Sequence, residues 1–144
     1  MTDPCEPFPH AGYPADHPVA GRPGGEPPCP LRADEARALT HRLLQGLDPP
    51  PHDNAIADAV LVTHELVANA IRHGGGLTAL SVTADMETIC VAVSDLSVAL
   101  PVARPRDGLE EGGYGWPMVC AIAGTRGVSV SSRGKTITVS VPLR

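Results

Sequence analysis

Proline placement constrains this chain more than any other feature. Of its 16 prolines in 144 residues, nine fall within the first thirty, at positions 4, 7, 9, 14, 18, 23, 27, 28 and 30, interleaved with Gly12, Gly21, Gly24 and Gly25. Each proline fixes φ and removes a backbone donor. Residues 1–30 are therefore predicted to hold neither a helix nor a central strand, and to form a Pro/Gly-rich flexible extension. The packed domain is expected over residues 31–144, a length that suits one core.

Within that domain the periodicity changes twice. Ala33 to about Leu47 reads as a helix, with Ala36, Leu39, Leu43 and Leu47 at helical spacing. Asp34 and Glu35 lie in its first turn, where the helix dipole favours acids, and Asp48–Pro51 stops it. A second helix is predicted from Asn54 to His73, with Ile56, Val60, Val67, Ala70 and Ile71 turned to the core. Gly74, Gly75 and Gly76 end it. Two strand-like runs follow, Leu77–Ala84 and Thr88–Ser94, joined through Asp85, Met86 and Glu87. TICVAVSD is rich in β-branched residues and nearly continuous in apolarity, as expected of a central strand. Residues 96–113 have no period and are predicted to be a long loop, which inside a compact domain is usually functional or mobile. A short helix over Gly115–Ala123 and a hairpin pairing Gly127–Ser132 with Thr136–Leu143 complete the order, with Arg133–Lys135 as the turn. No internal repeat is visible. The order α, α, β, β, loop, α, β, β predicts an α+β fold: a two-layer sandwich of one mostly antiparallel sheet with helices on one face.

Composition removes several functions. A net charge of −5 and a pI of about 5.6 leave no electrostatic footprint for nucleic acid. One Phe, two Tyr and one Trp provide no stacking platform for single strands. No apolar run approaches the ~20 residues that cross a bilayer. The opening MTDPCEPFPH lacks the basic and apolar regions of a signal peptide, so a cytoplasmic location is expected. Cys5, Cys29, Cys90 and Cys120 form no CxxC pair and read as free thiols. Cys5, His10, His17 and Cys29 supply enough zinc ligands in kind, but scattered among prolines they lack the tight pairs of structural zinc sites. No G-x-S-x-G turn points to a serine hydrolase. His64 beside Glu65 suggests metal chemistry, but adjacent helical residues diverge and no HExxH is present.

Four signals carry chemistry. Glu65 and Asn69 stand one turn apart on the second helix and share a face. Such a pair either holds a hydrated Mg²⁺, with the carboxamide as ligand and the carboxylate orienting water or a hydroxyl, or is a solvated polar stripe. Asp95 ends the apolar strand, placed to accept a hydrogen bond from a ligand amine or to serve as a turn carboxylate. Gly112, Gly113 and Gly115 in EGGYGWPMV open a helix, where bare N–H groups meet anions; a flexible hinge is the other reading. There is no preceding strand and no P-loop lysine, which excludes a Walker site. Finally, GKT (Gly134–Thr136) begins the last strand, with Thr136 offering a hydroxyl inward and Lys135 read as part of a charged hairpin turn.

In this order the four signals resemble the Bergerat-fold, histidine-kinase-like ATP-binding domain. ELVANAIRHG (Glu65–Gly74) is similar to its N box, VSDLS (Val93–Ser97) stands in the place of the first glycine box, and GGYGWPMV (Gly112–Val119) in that of the second. The resemblance covers about residues 33–143. Within that superfamily the short chain looks like the bacterial anti-sigma-factor serine/threonine kinases. Two departures stand out. Leu96, Ser97 and Val98 follow Asp95 where glycines are usual, and Trp116 and Pro117 replace an aliphatic pair. Pro117 falls in a first helical turn, where proline is tolerated.

The resemblance implies that Asn69 ligands the Mg²⁺ bridging the ATP phosphates, and that Glu65 acts as general base or orients the attacking hydroxyl. It implies that Asp95 takes the adenine amino group, that Gly113 and Gly115 let the loop and helix start meet the phosphates, and that Thr136 lies near the adenine. Such a task needs few side chains, since phosphoryl transfer rests mainly on positioning and charge neutralisation. The implied function is an anti-sigma-factor regulator. It would bind MgATP and a sigma factor, phosphorylate Ser or Thr of an antagonist protein, and form a possible homodimer. The other reading is a degenerate module of the same fold that acts only by protein binding. A histidine-kinase catalytic domain would need an upstream helical segment, and residues 1–32 are too short and proline-rich to be one.

Overall fold

In the computed structural model the described residues are 31–98 and 115–144. The expected flexible extension over residues 1–30, most of the long loop, and Gly112 and Gly113 lie outside them. Two helices come first, α1 (Ala33–Gln45) and α2 (Asp53–His73), then strands β1 (Leu77–Ala84) and β2 (Thr88–Asp95). Helix α3 (Gly115–Ile122) and strands β3 (Thr125–Ser131) and β4 (Gly134–Pro142) follow. The four strands form one sheet in the order β1-β2-β4-β3, and every pairing is antiparallel. The fold is α+β with two layers, as the element order implies.

Side-chain parity shows which sheet face carries the core. Ile89, Val91 and Val93 of β2 pair with Val141, Val139 and Ile137 of β4, and all six are buried. They belong to the same core as Ile56, Ala59, Val62, Leu66, Val67 and Ala70 of α2 and Val119 of α3. The opposite parity is small and polar, with Ser81, Thr83, Cys90, Ser94, Thr136, Thr138 and Ser140 on the other face. A sheet patterned in this way buries one face and leaves the other wet.

Helix α1 corrects the predicted stripe. Its buried residues are Ala36, Thr40 and Leu44, whereas Leu39 is 43% exposed. The buried row advances by four residues and includes a threonine because α2 offers it a partner. Thr40 Oγ1 lies 3.0 Å from the Ala36 carbonyl and 3.1 Å from Thr63 Oγ1, and Thr63 donates to the Ala59 carbonyl. Hydroxyls satisfied through the preceding turn in this way are tolerated in a core. On α2, Ile71 is likewise a correction: it is 46% exposed, while its neighbour Ala70 is buried. The glycine stop is as expected, with Gly75 at φ 72° and the Gly76 N–H donating back to the Ala70 carbonyl.

Two local devices set the ends of the sheet. Asp85 accepts the N–H groups of Glu87 and Thr88 at 2.8 Å each, which closes the β1–β2 turn. An irregularity between Leu77 and Ala79 shifts the register, so Leu77 stands opposite Asp95 and is buried. The last hairpin is tighter than predicted: β4 begins at Gly134, Ser131 pairs with Gly134, and Ser132–Arg133 alone make the turn. Lys135 therefore lies inside a strand, which corrects its reading as a turn residue.

Candidate functional site

The predicted residues are distributed along the C-terminal half of α2. Glu65 is half-buried and faces the start of α3. The position a Cβ would take on Gly115 is occupied by the Glu65 carboxylate, with Cδ 2.7 Å away. Only glycine admits the carboxylate there without displacing it, and the site lies at a helix N-terminus that favours negative charge. Asn69, one turn further on, is also half-buried. At the end of α2, a Cβ on Gly74 would stand 2.5 Å from Asp95 Oδ2 and 2.6 Å from Asp95 Cγ. Nine residues of helix from Glu65 to Gly74 span about 14 Å. The helix thus carries one carboxylate beside α3 and abuts a second at the end of β2.

Asp95 is 5% exposed and closely held. Lys135 Nζ donates to both of its oxygens, at 3.0 Å and 2.9 Å, and the Ser97 N–H donates to Oδ1 at 2.9 Å. Lys135 Nζ also approaches the Ser97 carbonyl at 3.4 Å. The two charged side chains are 6% and 4% exposed, so this is an ion pair removed from water. Gly134 makes it possible. Its φ of 146° is one that other residues rarely adopt, and a Cβ there would meet the Asp95 carbonyl oxygen and lie 2.9 Å from its carbon. The Leu96 N–H donates to the Gly74 carbonyl at 2.9 Å, tying the end of β2 to the end of α2.

Thr136 is not brought to Asp95. It pairs with Ser94 on the polar face of the sheet, and the two hydroxyls share a hydrogen bond of 2.7 Å. The inward residue of the GKT segment is Lys135, and the expected inward hydroxyl of Thr136 is corrected accordingly. The signal for Lys135 was present in the sequence. Ile137, Val139 and Val141 fix the inward parity of β4, and counting back by two reaches 135 rather than 136. Gly115 opens α3 as expected, whereas Gly113 lies outside the described residues.

The remaining reactive groups are quiet. Neither Cys90 nor Cys120 is in a disulfide, and burial pushes the Cys90 thiol above its ordinary range, away from nucleophilic use. Among the described residues no three His, Cys, Asp or Glu side chains converge as a metal site. A cation at Asn69 would therefore complete its shell with phosphate and water oxygens, as Mg²⁺ commonly does. Among the described residues no helix is long and apolar enough to cross a membrane. No protein-family model matches this sequence, and no curated protein matches it.

Proposed function

We propose that the chain is an ATP-binding regulator of the anti-sigma-factor kinase type. The observation that carries this reading is the arrangement along α2: Glu65 cradled by Gly115 at one end, Asn69 between, and Asp95 against Gly74 at the other. The two carboxylates meet α2 at points about 14 Å apart along its axis, a span comparable in length with a nucleoside triphosphate. In this reading the adenine amino group meets Asp95, and Asn69 ligands the Mg²⁺ that neutralises the phosphates. Gly113 and Gly115 allow the backbone to approach those phosphates. Thr136 stands one residue beyond the adenine end. Mg²⁺ supplies charge neutralisation; the protein positions the donor and acceptor.

The reaction would transfer the γ-phosphoryl group of ATP to a Ser or Thr hydroxyl of an antagonist protein, leaving ADP. Glu65 takes or orients the hydroxyl proton, after leaving its contact with the α3 N-terminus. A sigma factor is the second partner, the setting is cytoplasmic, and a homodimer is the assembly in which two such domains would act.

Calorimetric titration of ATP with and without Mg²⁺ tests this reading. The folded wild type is expected to bind saturably and more tightly with Mg²⁺, and Asn69→Ala to lose the Mg²⁺-dependent part. Absence of saturable binding at millimolar ATP, or unchanged binding and transfer by Asn69→Ala, would overturn the site. One observation favours the second reading, a partner-binding module without transfer: the Asp95 carboxylate is already saturated by Lys135 and Ser97.

A further inference from the structure

We propose that Lys135 is an internal occupant of the amine position on Asp95, and that this contact sets how weakly or tightly the site takes a nucleotide. The inference rests on the ATP-binding reading above and specifies how that site is regulated. Its grounds are geometric. Gly74 stands against one side of the Asp95 carboxylate, Gly134 against its main-chain carbonyl, and the Ser97 N–H takes Oδ1, while the side toward β4 faces Lys135. Lys135 Nζ fills that side by reaching both oxygens within 3.0 Å.

The surroundings give Lys135 no comparable alternative. Its register neighbour on the other side is Val130 of β3, and the neighbour of Asp95 on β1 is Leu77. The row across the sheet therefore reads Leu77, Asp95, Lys135, Val130, with both charges between apolar residues. A fold that needed only packing here would continue the rows of Val93–Ile137 and Val91–Val139. The ammonium has three N–H donors. Two are used on Asp95, and the third is directed near the Ser97 carbonyl.

An entering adenine amino group must therefore exchange with an ammonium that already satisfies the carboxylate. The exchange replaces an ion pair that uses both carboxylate oxygens with a hydrogen bond from an uncharged donor, and it requires the lysine stem to swing out of a nearly closed position. Parting a buried ion pair forfeits its mutual attraction and leaves the carboxylate without its cation, so the exchange opposes binding. The contact acts as a built-in competitor for the base end of the ligand, while the phosphate end at Asn69 is untouched by it.

The test is a double-mutant cycle read by calorimetry with MgATP: wild type, Lys135→Met, Asp95→Asn, and the two combined. Thermal melts establish that each variant is folded. Lys135→Met is expected to bind ATP at least about tenfold more tightly than wild type, the scale of one hydrogen bond to a charged group. That gain is expected to vanish when Asp95→Asn is added, and Asp95→Asn alone should weaken binding, because it removes the acceptor assigned to the adenine amino group. If Lys135→Met does not fold, Lys135→Gln serves, since its carboxamide can donate to the carboxylate without an ionic contact; a smaller gain is then expected.

Equal ATP affinity in wild type and the Lys135 variant would overturn the inference and leave the ATP-binding reading standing. A gain that survives Asp95→Asn would overturn it as well, because the effect would not pass through the carboxylate. If none of the four proteins binds ATP at millimolar concentration, the ATP-binding reading falls and the inference falls with it.

Discussion

Two neighbouring rows of the same sheet face differ in kind. One row, Leu80–Val93–Ile137–Val128, is wholly apolar, with its centre buried and its two ends half-buried; the next, Leu77–Asp95–Lys135–Val130, carries an ion pair at its centre. The strands and the sheet face are the same, and β2, β4 and β3 keep one register across both rows, while β1 shifts between Leu77 and Ala79. The apolar row contributes through burial, at roughly 25 cal/mol for each Å² removed from water. The charged row must first overcome the desolvation of two ions, a cost that their attraction often only offsets. A fold gains little by placing charges there. The end of the sheet nearest α2's C-terminus thus differs from its centre in holding two charges at a desolvation cost.

The largest effect expected from breaking the comparison is in the charged row. Lys135→Met leaves Asp95 buried without its cation and should lower unfolding free energy by about 3–5 kcal/mol in urea titrations. Adding Asp95→Asn removes the remaining charge and is expected to restore most of that loss. If the double variant is as unstable as the single one, the pair is a structural element and the two rows are alike in purpose.

A smaller effect on stability, with a larger one on binding, is expected at the other carboxylate. In Gly115→Ala the new Cβ meets the far end of the Glu65 side chain, which can rotate away, so the unfolding free energy should change by less than about 1 kcal/mol. ATP affinity or phosphotransfer should nonetheless fall at least about tenfold, because the loop-to-helix backbone can no longer close on the phosphates. A loss of stability without a loss of binding would remove Gly115 from the site.

The smallest effect lies in the β1–β2 turn, far from both carboxylates in sequence and exposed. Hydrogen bonds from the N–H groups of Glu87 and then Thr88 hold the Asp85 carboxyl below its ordinary value of 3.8. A lowered folded-state value means that this stabilisation is fully present above that ordinary value and is lost as pH falls through the folded one. The urea midpoint of wild type should thus exceed that of Asp85→Ala at pH 6. The two should converge on acidification below 3.8. A gap that stays constant with pH would show that the turn gains nothing from the charged form.

Most of the fold is legible in local pattern, for reasons the individual elements show. β1 is bounded as its alternation predicts, and α2 begins within one residue of prediction and ends where the glycine triplet stops it. Strand and helix periods, proline stops and left-handed glycines are properties of a few adjacent residues, so they survive without knowledge of the partner surface. Where a partner decides, local pattern misleads. Leu39 has the spacing of a core residue and is exposed, while Thr40 is buried because Thr63 on α2 receives it. Ile71 continues α2's apolar stripe in sequence and yet is 46% exposed, with Ala70 taking the buried position beside it.

The candidate site divides in the same way. The sequence by itself places Glu65 and Asn69 on one helical face, Asp95 at the end of an apolar strand and Gly115 at a helix start, because each depends on spacing along one element. That Lys135 rather than Thr136 faces Asp95 depends on where the hairpin turn closes. A one-residue slip of register moves every side chain to the opposite face. The Asp95–Lys135 contact joins residues 40 positions apart, and the Glu65–Gly115 contact joins two helices with a sheet between them in sequence. Such pairings follow from the antiparallel pairing of β2 with β4 and from the packing of α3 on α2, and only the tertiary structure brings them together.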